Sequence, residues 1–147
     1  MKKLIVLIAA LLAAVSLNAQ SVFNGLKRTE YTITKSESLG GAAKIAGDVV
    51  VGYTSGKVSG KITFNSKTRT IAFSDRTIQY KDDALKFEDF ENSRLTSGTA
   101  TMAGDDGEVI FQIIEDYLKQ TVNILVQWPD YSASRIFATL KSSKALR

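Results

Sequence analysis

Apolar and polar residues alternate through most of the chain, and the alternation keeps its phase across short turns. Ile62 and Phe64 share one face of Lys61-Ile-Thr-Phe64, and Ile71 and Phe73 share one face of Arg69-Thr-Ile-Ala-Phe73. Side chains recur on a strand face every two residues, so each run reads as a half-buried strand. A four-residue loop at Asn65 to Thr68 sets Phe64 opposite Arg69 and Ile62 opposite Ile71. A two-residue turn at Ser74-Asp75 sets Ile71 opposite Ile78, and a turn at Asp82-Asp83 sets Ile78 opposite Phe87. A loop from Thr54 to Lys57 adds Val49 opposite Ile62. One apolar row, Val49, Ile62, Ile71, Ile78 and Phe87, thus crosses five strands with hairpin loops of ordinary length.

The second half of the chain repeats the behaviour. A turn at Gly104-Asp-Asp-Gly107 sets Met102 opposite Val109 and Ala100 opposite Phe111. A loop at Asp116 to Lys119 sets Ile113 opposite Val122 and Phe111 opposite Ile124. The loop Pro129-Asp-Tyr-Ser-Ala133 sets Val126 opposite Ile136 and Val122 opposite Leu140. One segment carries a competing signal: Ile110, Ile113, Ile114, Tyr117 and Leu118 also fit a helical spacing over Glu108 to Gln120, with Asp106 as its cap. The β-forming Val-Ile-Phe and Ile-Ile steps favour strands there.

The pattern predicts an all-β domain of about nine to ten short antiparallel strands. Such a meander hides its edges by closing into an up-and-down barrel or folding into a sandwich. In architecture it resembles the lipocalin and fatty-acid-binding barrels. Phe23-Asn-Gly-Leu26 stands where a Gly-x-Trp would mark a lipocalin, and the one Trp is Trp128, so no family is read from the resemblance.

The N-terminus departs from this pattern. Lys2 and Lys3 precede the apolar run Leu4 to Val15, and the small residues Ser16 and Ala19 follow. This order is that of a secretory signal peptide, and the run is shorter than the roughly 20 residues needed to span a bilayer. Cleavage after Ala19 is expected to leave one domain, residues 20–147, exported to the periplasm or secreted. Removing Lys2 and Lys3 lowers the basic residues from 19 to 17 against 15 acids, so the mature net charge is +2. Scattered Lys and Arg without a basic stripe exclude a nucleic-acid partner. No second long apolar segment follows, and short strands with charged faces such as Lys57, Ser59, Lys61 and Thr63 do not suit an outer-membrane barrel.

Composition narrows the chemistry sharply. His and Cys are both absent, which removes the usual general base, thiol nucleophiles and the commonest metal ligands. Carboxylate pairs remain. Glu88 with Asp89 or Glu91 is the one arrangement a glycosidase would use, yet adjacent strand residues point to opposite faces. The expectation is a protein that is not an enzyme and uses no cofactor. Asp82 to Asp116 holds ten acids and two bases, leaving the rest of the mature chain at +10. Asp105 and Asp106, joined by Glu115 and Asp116 from a neighbouring loop, are the candidate metal ligands, although no EF-hand register fits. Gly-Asp-Asp-Gly also has the composition of a plain hairpin turn.

The candidate ligand-binding residues are aromatic: Phe64, Phe73, Tyr80, Phe87, Phe111 and Trp128 on the sheet faces, with Tyr131 in the loop after Pro129. An open barrel would use them to line a cavity for a small apolar or amphipathic ligand. A filled barrel would bury them and leave an interaction module for another protein or an envelope component, with Trp128 and Tyr131 as a stacking patch.

Overall fold

The structure is a computed structural model that describes residues 21–39, 53–56 and 60–146. The expected signal peptide and Val49 lie outside the described residues. Ten strands form one antiparallel sheet: β1 Lys27–Leu39, β2 Tyr53–Gly56, β3 Lys61–Asn65, β4 Thr70–Ala72, β5 Thr77–Tyr80, β6 Lys86–Asp89, β7 Ser93–Met102, β8 Asp105–Asp116, β9 Thr121–Gln127 and β10 Ala133–Ala145. The described residues contain no α-helix. Along β8 burial alternates residue by residue from Glu108 to Glu115, so this stretch is strand rather than helix.

The sheet closes. The order β10-β9-β8-β7-β5-β4-β3-β1 is completed by pairing of β10 with β1 along most of their length, from Lys27 opposite Ala145 to Leu39 opposite Ala133. The result is an eight-strand up-and-down barrel, not a sandwich. β2 and β3 run back along the same strand, with Leu39 opposite Tyr53 and Thr32 opposite Lys61. β5 and β6 likewise run successively along β7, with Tyr80 opposite Ala100 and Lys86 opposite Ser97. Each pair therefore acts as one interrupted stave of the barrel. Closure satisfies the backbone groups that an open sheet would leave unpaired.

The expected registers are corrected in a consistent way. Ile71 does face Ile78. Phe64 faces Ile71 instead of Arg69, Ala100 faces Val109, Ile113 faces Ile124, and Ile136 faces Ile124. Each of these is a two-residue slide, which preserves the face that points inward. The cause is visible in the turns. Asn65 and Asp116 are the last residues of their strands, not the first of their loops. Asn65 Oδ1 accepts from the amides of Lys67 and Thr68 at 3.0 and 3.1 Å, and Asp116 Oδ1 accepts from Leu118 and Lys119 at 3.1 and 3.0 Å. Each turn then ends on a left-handed residue, Arg69 at φ 57° and Gln120 at φ 54°. The β7–β8 turn is Ala103-Gly104 with Gly104 at φ 79°, and Asp105 already belongs to β8.

Two expected hairpins are absent. Tyr53–Gly56 is strand where a loop was expected. Asp82–Ala84 is a single 3-10 turn that interrupts a stave, so β5 and β6 do not face one another. Phe87 consequently leaves the apolar row and is 46% exposed.

Inside the barrel, Ile62, Ile71, Ile78, Val109, Ile113, Ile124 and Val126 have no accessible surface, and Phe64 and Phe111 almost none. These side chains leave almost no surface to water, so the rows they form inside the barrel are closely packed. Small residues make room for large ones: Gly98 lies opposite Phe111, and a Cβ there would sit 2.8 Å from Phe111 Cζ.

Candidate functional site at the closed end of the barrel

With the middle filled, the sites available to a ligand lie at the barrel ends. One end is formed by the turns at 66–69, 90–92 and 117–120, the C-terminal part of β10, and residues 21–26 before β1. The other carries the turns at 73–76 and 103–104 and the loop 128–132.

At the first end the segment 21–26 is tucked beneath the barrel. Ser21 and Val22 are buried, and both are fastened to Glu115: Ser21 Oγ donates to Oε1 at 2.8 Å and the Val22 amide to Oε2 at 3.0 Å. Glu115 is 1% exposed on the inward row of β8. Burial pushes its carboxyl above the usual carboxylate range, while the two hydrogen bonds and the nearby Arg94 and Lys27 pull the other way. Arg94 stands opposite Glu115 across the β7–β8 pair and is itself buried. Its guanidinium grips Asp89 with Nε to Oδ1 at 2.5 Å and a second Nη–Oδ2 bond at 3.1 Å, reaches Asn24 Oδ1 at 3.3 Å, and covers the Phe87 ring at 4.8 Å. The hydrogen bonds from Arg94 hold the Asp89 carboxyl below its usual range.

Phe23 follows from the same segment. Its ring centroid lies 5.3 Å from Tyr80, 6.0 Å from Phe87 and 6.1 Å from Phe64. Its ring thereby packs against side chains of β3, β5 and β6 at this end. Ser66 Oγ accepts from the Lys27 amide at 2.8 Å and donates to the Gly25 carbonyl at 2.7 Å, clasping the β3–β4 turn to the segment.

Beside this plug lies a cleft of about 780 Å³. Leu26, Tyr31 and Leu140 supply apolar wall, Lys27, Tyr117 and Ser143 supply polar groups, and Glu115 lies at its floor. Burial lowers the Lys27 ammonium from its usual range and pushes the Tyr117 phenol up to about 12 and the Tyr31 phenol above its ordinary value. Tyr117 Oη is buried near Ser21 without a well-formed hydrogen bond. A partly apolar hollow with a few converging, perturbed polar groups is the usual form of a small-molecule site.

The sequence-derived aromatic residues divide. Phe64, Tyr80 and Phe87 meet around Phe23 at the cleft end. Phe111 is core. Phe73 and Trp128 meet at the far end, edge to face at 5.4 Å. There Trp128 is 6% exposed, donates from Nε1 to Ser134 Oγ at 3.0 Å, and lies under the Arg76 guanidinium at 4.3 Å. Tyr131 is 64% exposed at φ 68°, so Trp128 and Tyr131 do not share an open stacking patch. The expected carboxylate set is also separated. Asp105-Asp106 and Glu115-Asp116 occupy opposite ends of the twelve-residue β8, about 35 Å apart. Asp105 Oδ1 accepts from the Gly107 amide at 2.8 Å as a turn residue does, and no cluster suited to a metal occurs among the described residues.

Ser21, Phe23, Lys27, Tyr31 and Arg94 were not singled out from the sequence. Glu115 and Arg94 carried a usable signal: both fall on inward rows, in phase with Ile113 and Thr96, where a charge is out of place. No family model matches the chain, and no curated protein or solved structure matches it either. The class defined by the fold is a small closed antiparallel β-barrel, and no helix among the described residues is long and apolar enough to cross a membrane.

Proposed function

We propose that the chain is an exported binding module that holds a small amphipathic molecule in the end cleft rather than inside the barrel. The observation that carries this reading is the cleft itself. Its volume of about 780 Å³ falls within the ordinary range of ligand sites, and its apolar walls converge on Lys27, Tyr117 and Ser143. The filled core argues against the row of Ile and Phe side chains as the ligand-bearing surface. Binding rather than catalysis is favoured by a sequence without His or Cys. Export to the periplasm or beyond rests on the order of charged, apolar and small residues in the first nineteen positions.

Native mass spectrometry of the mature protein, taken gently from its own host's envelope fraction, tests the reading. The expected result is a discrete extra mass that is lost on denaturation and lost in Ser143→Trp, which fills the cleft. The bare polypeptide mass in both proteins favours a second reading, an interaction module with a solid core. That reading has its own support in Ile110, Ile114 and Leu125, which are 48, 45 and 40% exposed on the outer face of β8 and β9.

A further inference from the structure

Backbone pairing closes most of the barrel, and among the described residues β6, like β2, is paired on one side only. Lys86–Asp89 pairs with β7 on one side, and among the described residues nothing pairs with it on the other. All four residues are exposed, and Phe90 beyond them is 56% exposed. The orientation of its backbone groups follows from the hairpin. The Phe90 amide donates to the Ser93 carbonyl at 2.9 Å, so Phe90 and Ser93 form a hydrogen-bonded pair. Such pairs alternate along an antiparallel ladder. Glu88 and Lys86 therefore turn their N–H and C=O groups toward β7, and Phe87 and Asp89 turn theirs outward. Two donors and two acceptors, spaced as an incoming strand needs them, lie on an open edge.

The charge around that edge is one-sided. From Asp82 to Glu91 there are five acids and one base, Lys86. Arg69 bridges Asp82 and Arg94 bridges Asp89, while Asp83, Glu88 and Glu91 form no ion pair among the described residues. A second copy presenting the same acidic edge would be repelled. We infer that β6 is a docking edge for an extended, basic segment of a partner protein, one alternating Lys or Arg with apolar residues and adding a strand beside β6. Main-chain bonds to Phe87 and Asp89 would supply affinity, and attraction to Glu88 across the added pair and to Glu91 at the adjoining turn would supply selectivity. This surface is separate from the cleft, and either assignment can fail without the other.

The test uses the mature protein and capped peptides of about six residues, the common strand length: one alternating Lys with Val, one alternating Glu with Val. The Lys–Val peptide is expected to bind, to slow hydrogen exchange at the Phe87 and Asp89 amides, and to bind more weakly as salt rises. Methylating the backbone nitrogens along one edge of that peptide should weaken binding at least about tenfold, the loss of one to two hydrogen bonds. Glu88→Lys with Glu91→Lys touches neither Arg94 nor the plug and should reverse the preference between the two peptides. Equal binding of both peptides, protection elsewhere than at Phe87 and Asp89, or no effect of the charge reversal overturns the inference. So does dimerisation of the mature protein through this edge in sedimentation, which would make the occupant a second copy.

Discussion

Both ends of the barrel are sealed by an aromatic group lying near an arginine, but they are sealed with different chemistry. At one end Trp128 fills the opening from a loop, anchored by a neutral hydrogen bond to Ser134 and covered by Arg76. At the other, residues 21–26 enter from outside the barrel, and their anchor is the ionisable, buried Glu115. The Trp128 seal combines a local hydrogen bond to Ser134 with contacts to Phe73 and Arg76 from the distant β4–β5 turn. The Glu115 seal joins residues 94 and 93 positions apart. The first seal is thus anchored within one hairpin, whereas the second is anchored by hydrogen bonds between residues far apart in sequence. The contrast bears on where the cleft sits: the plug made of a separate segment leaves space beside it, walled by Leu26, Tyr31 and Leu140.

The largest effect that would sharpen this comparison is at the local seal. Trp128→Ala should cost about 3–5 kcal/mol in equilibrium unfolding, the range for deleting a buried large aromatic. Phe23→Ala, at the other end, should cost about 2 kcal/mol, since its ring is only partly buried. Equal losses at the two ends would break the distinction between them.

Smaller still is Ser21→Ala, expected at about 1 kcal/mol through loss of one buried hydrogen bond. Chemical denaturation of the mature protein measures it, and an unchanged midpoint would mean that the plug does not hang on Glu115.

The subtlest test is the pH dependence. Burial raises the Glu115 carboxyl above its ordinary value of 4.5, so the folded chain holds that proton more tightly than the unfolded chain. Its contribution to stability is fully present below the ordinary value and is lost as pH rises through the raised one. Glu115→Gln should remove that part of the decline, while Trp128→Ala should keep it. A Glu115→Gln stability profile parallel to the parent's would show that the carboxylate is not held as the structure has it.

Much of the fold was legible because alternation survives errors of register. Each hairpin that formed in a shifted register was out by two residues, so Ile62, Phe64, Ile71, Ile113 and Ile124 still fell on the inward face. The error came from reading Asn65 and Asp116 as loop residues, when their side chains close turns that begin one residue later. Asp82-Asp83 misled differently. Two adjacent acids suit a hairpin, but the Arg69–Asp82 bridge and the continued pairing along β7 make them a break within one stave. That error placed Phe87 in a core row it does not join. The site was less legible. In the sequence Glu115 reads as a candidate metal ligand beside a turn, and its partners Ser21 and Val22 lie almost the whole domain away. No local spacing reports such a contact.

The most direct test of the end-cleft reading is an amide NMR comparison. One spectrum is of the protein isolated from its own host; the other is of the same protein after denaturation, removal of small molecules and refolding. The account predicts differences confined to the cleft, at Leu26, Lys27, Tyr31, Tyr117 and Leu140, with Ile62, Ile71, Ile78 and Val126 unmoved. Identical spectra, or differences running along the inner apolar rows, would contradict it.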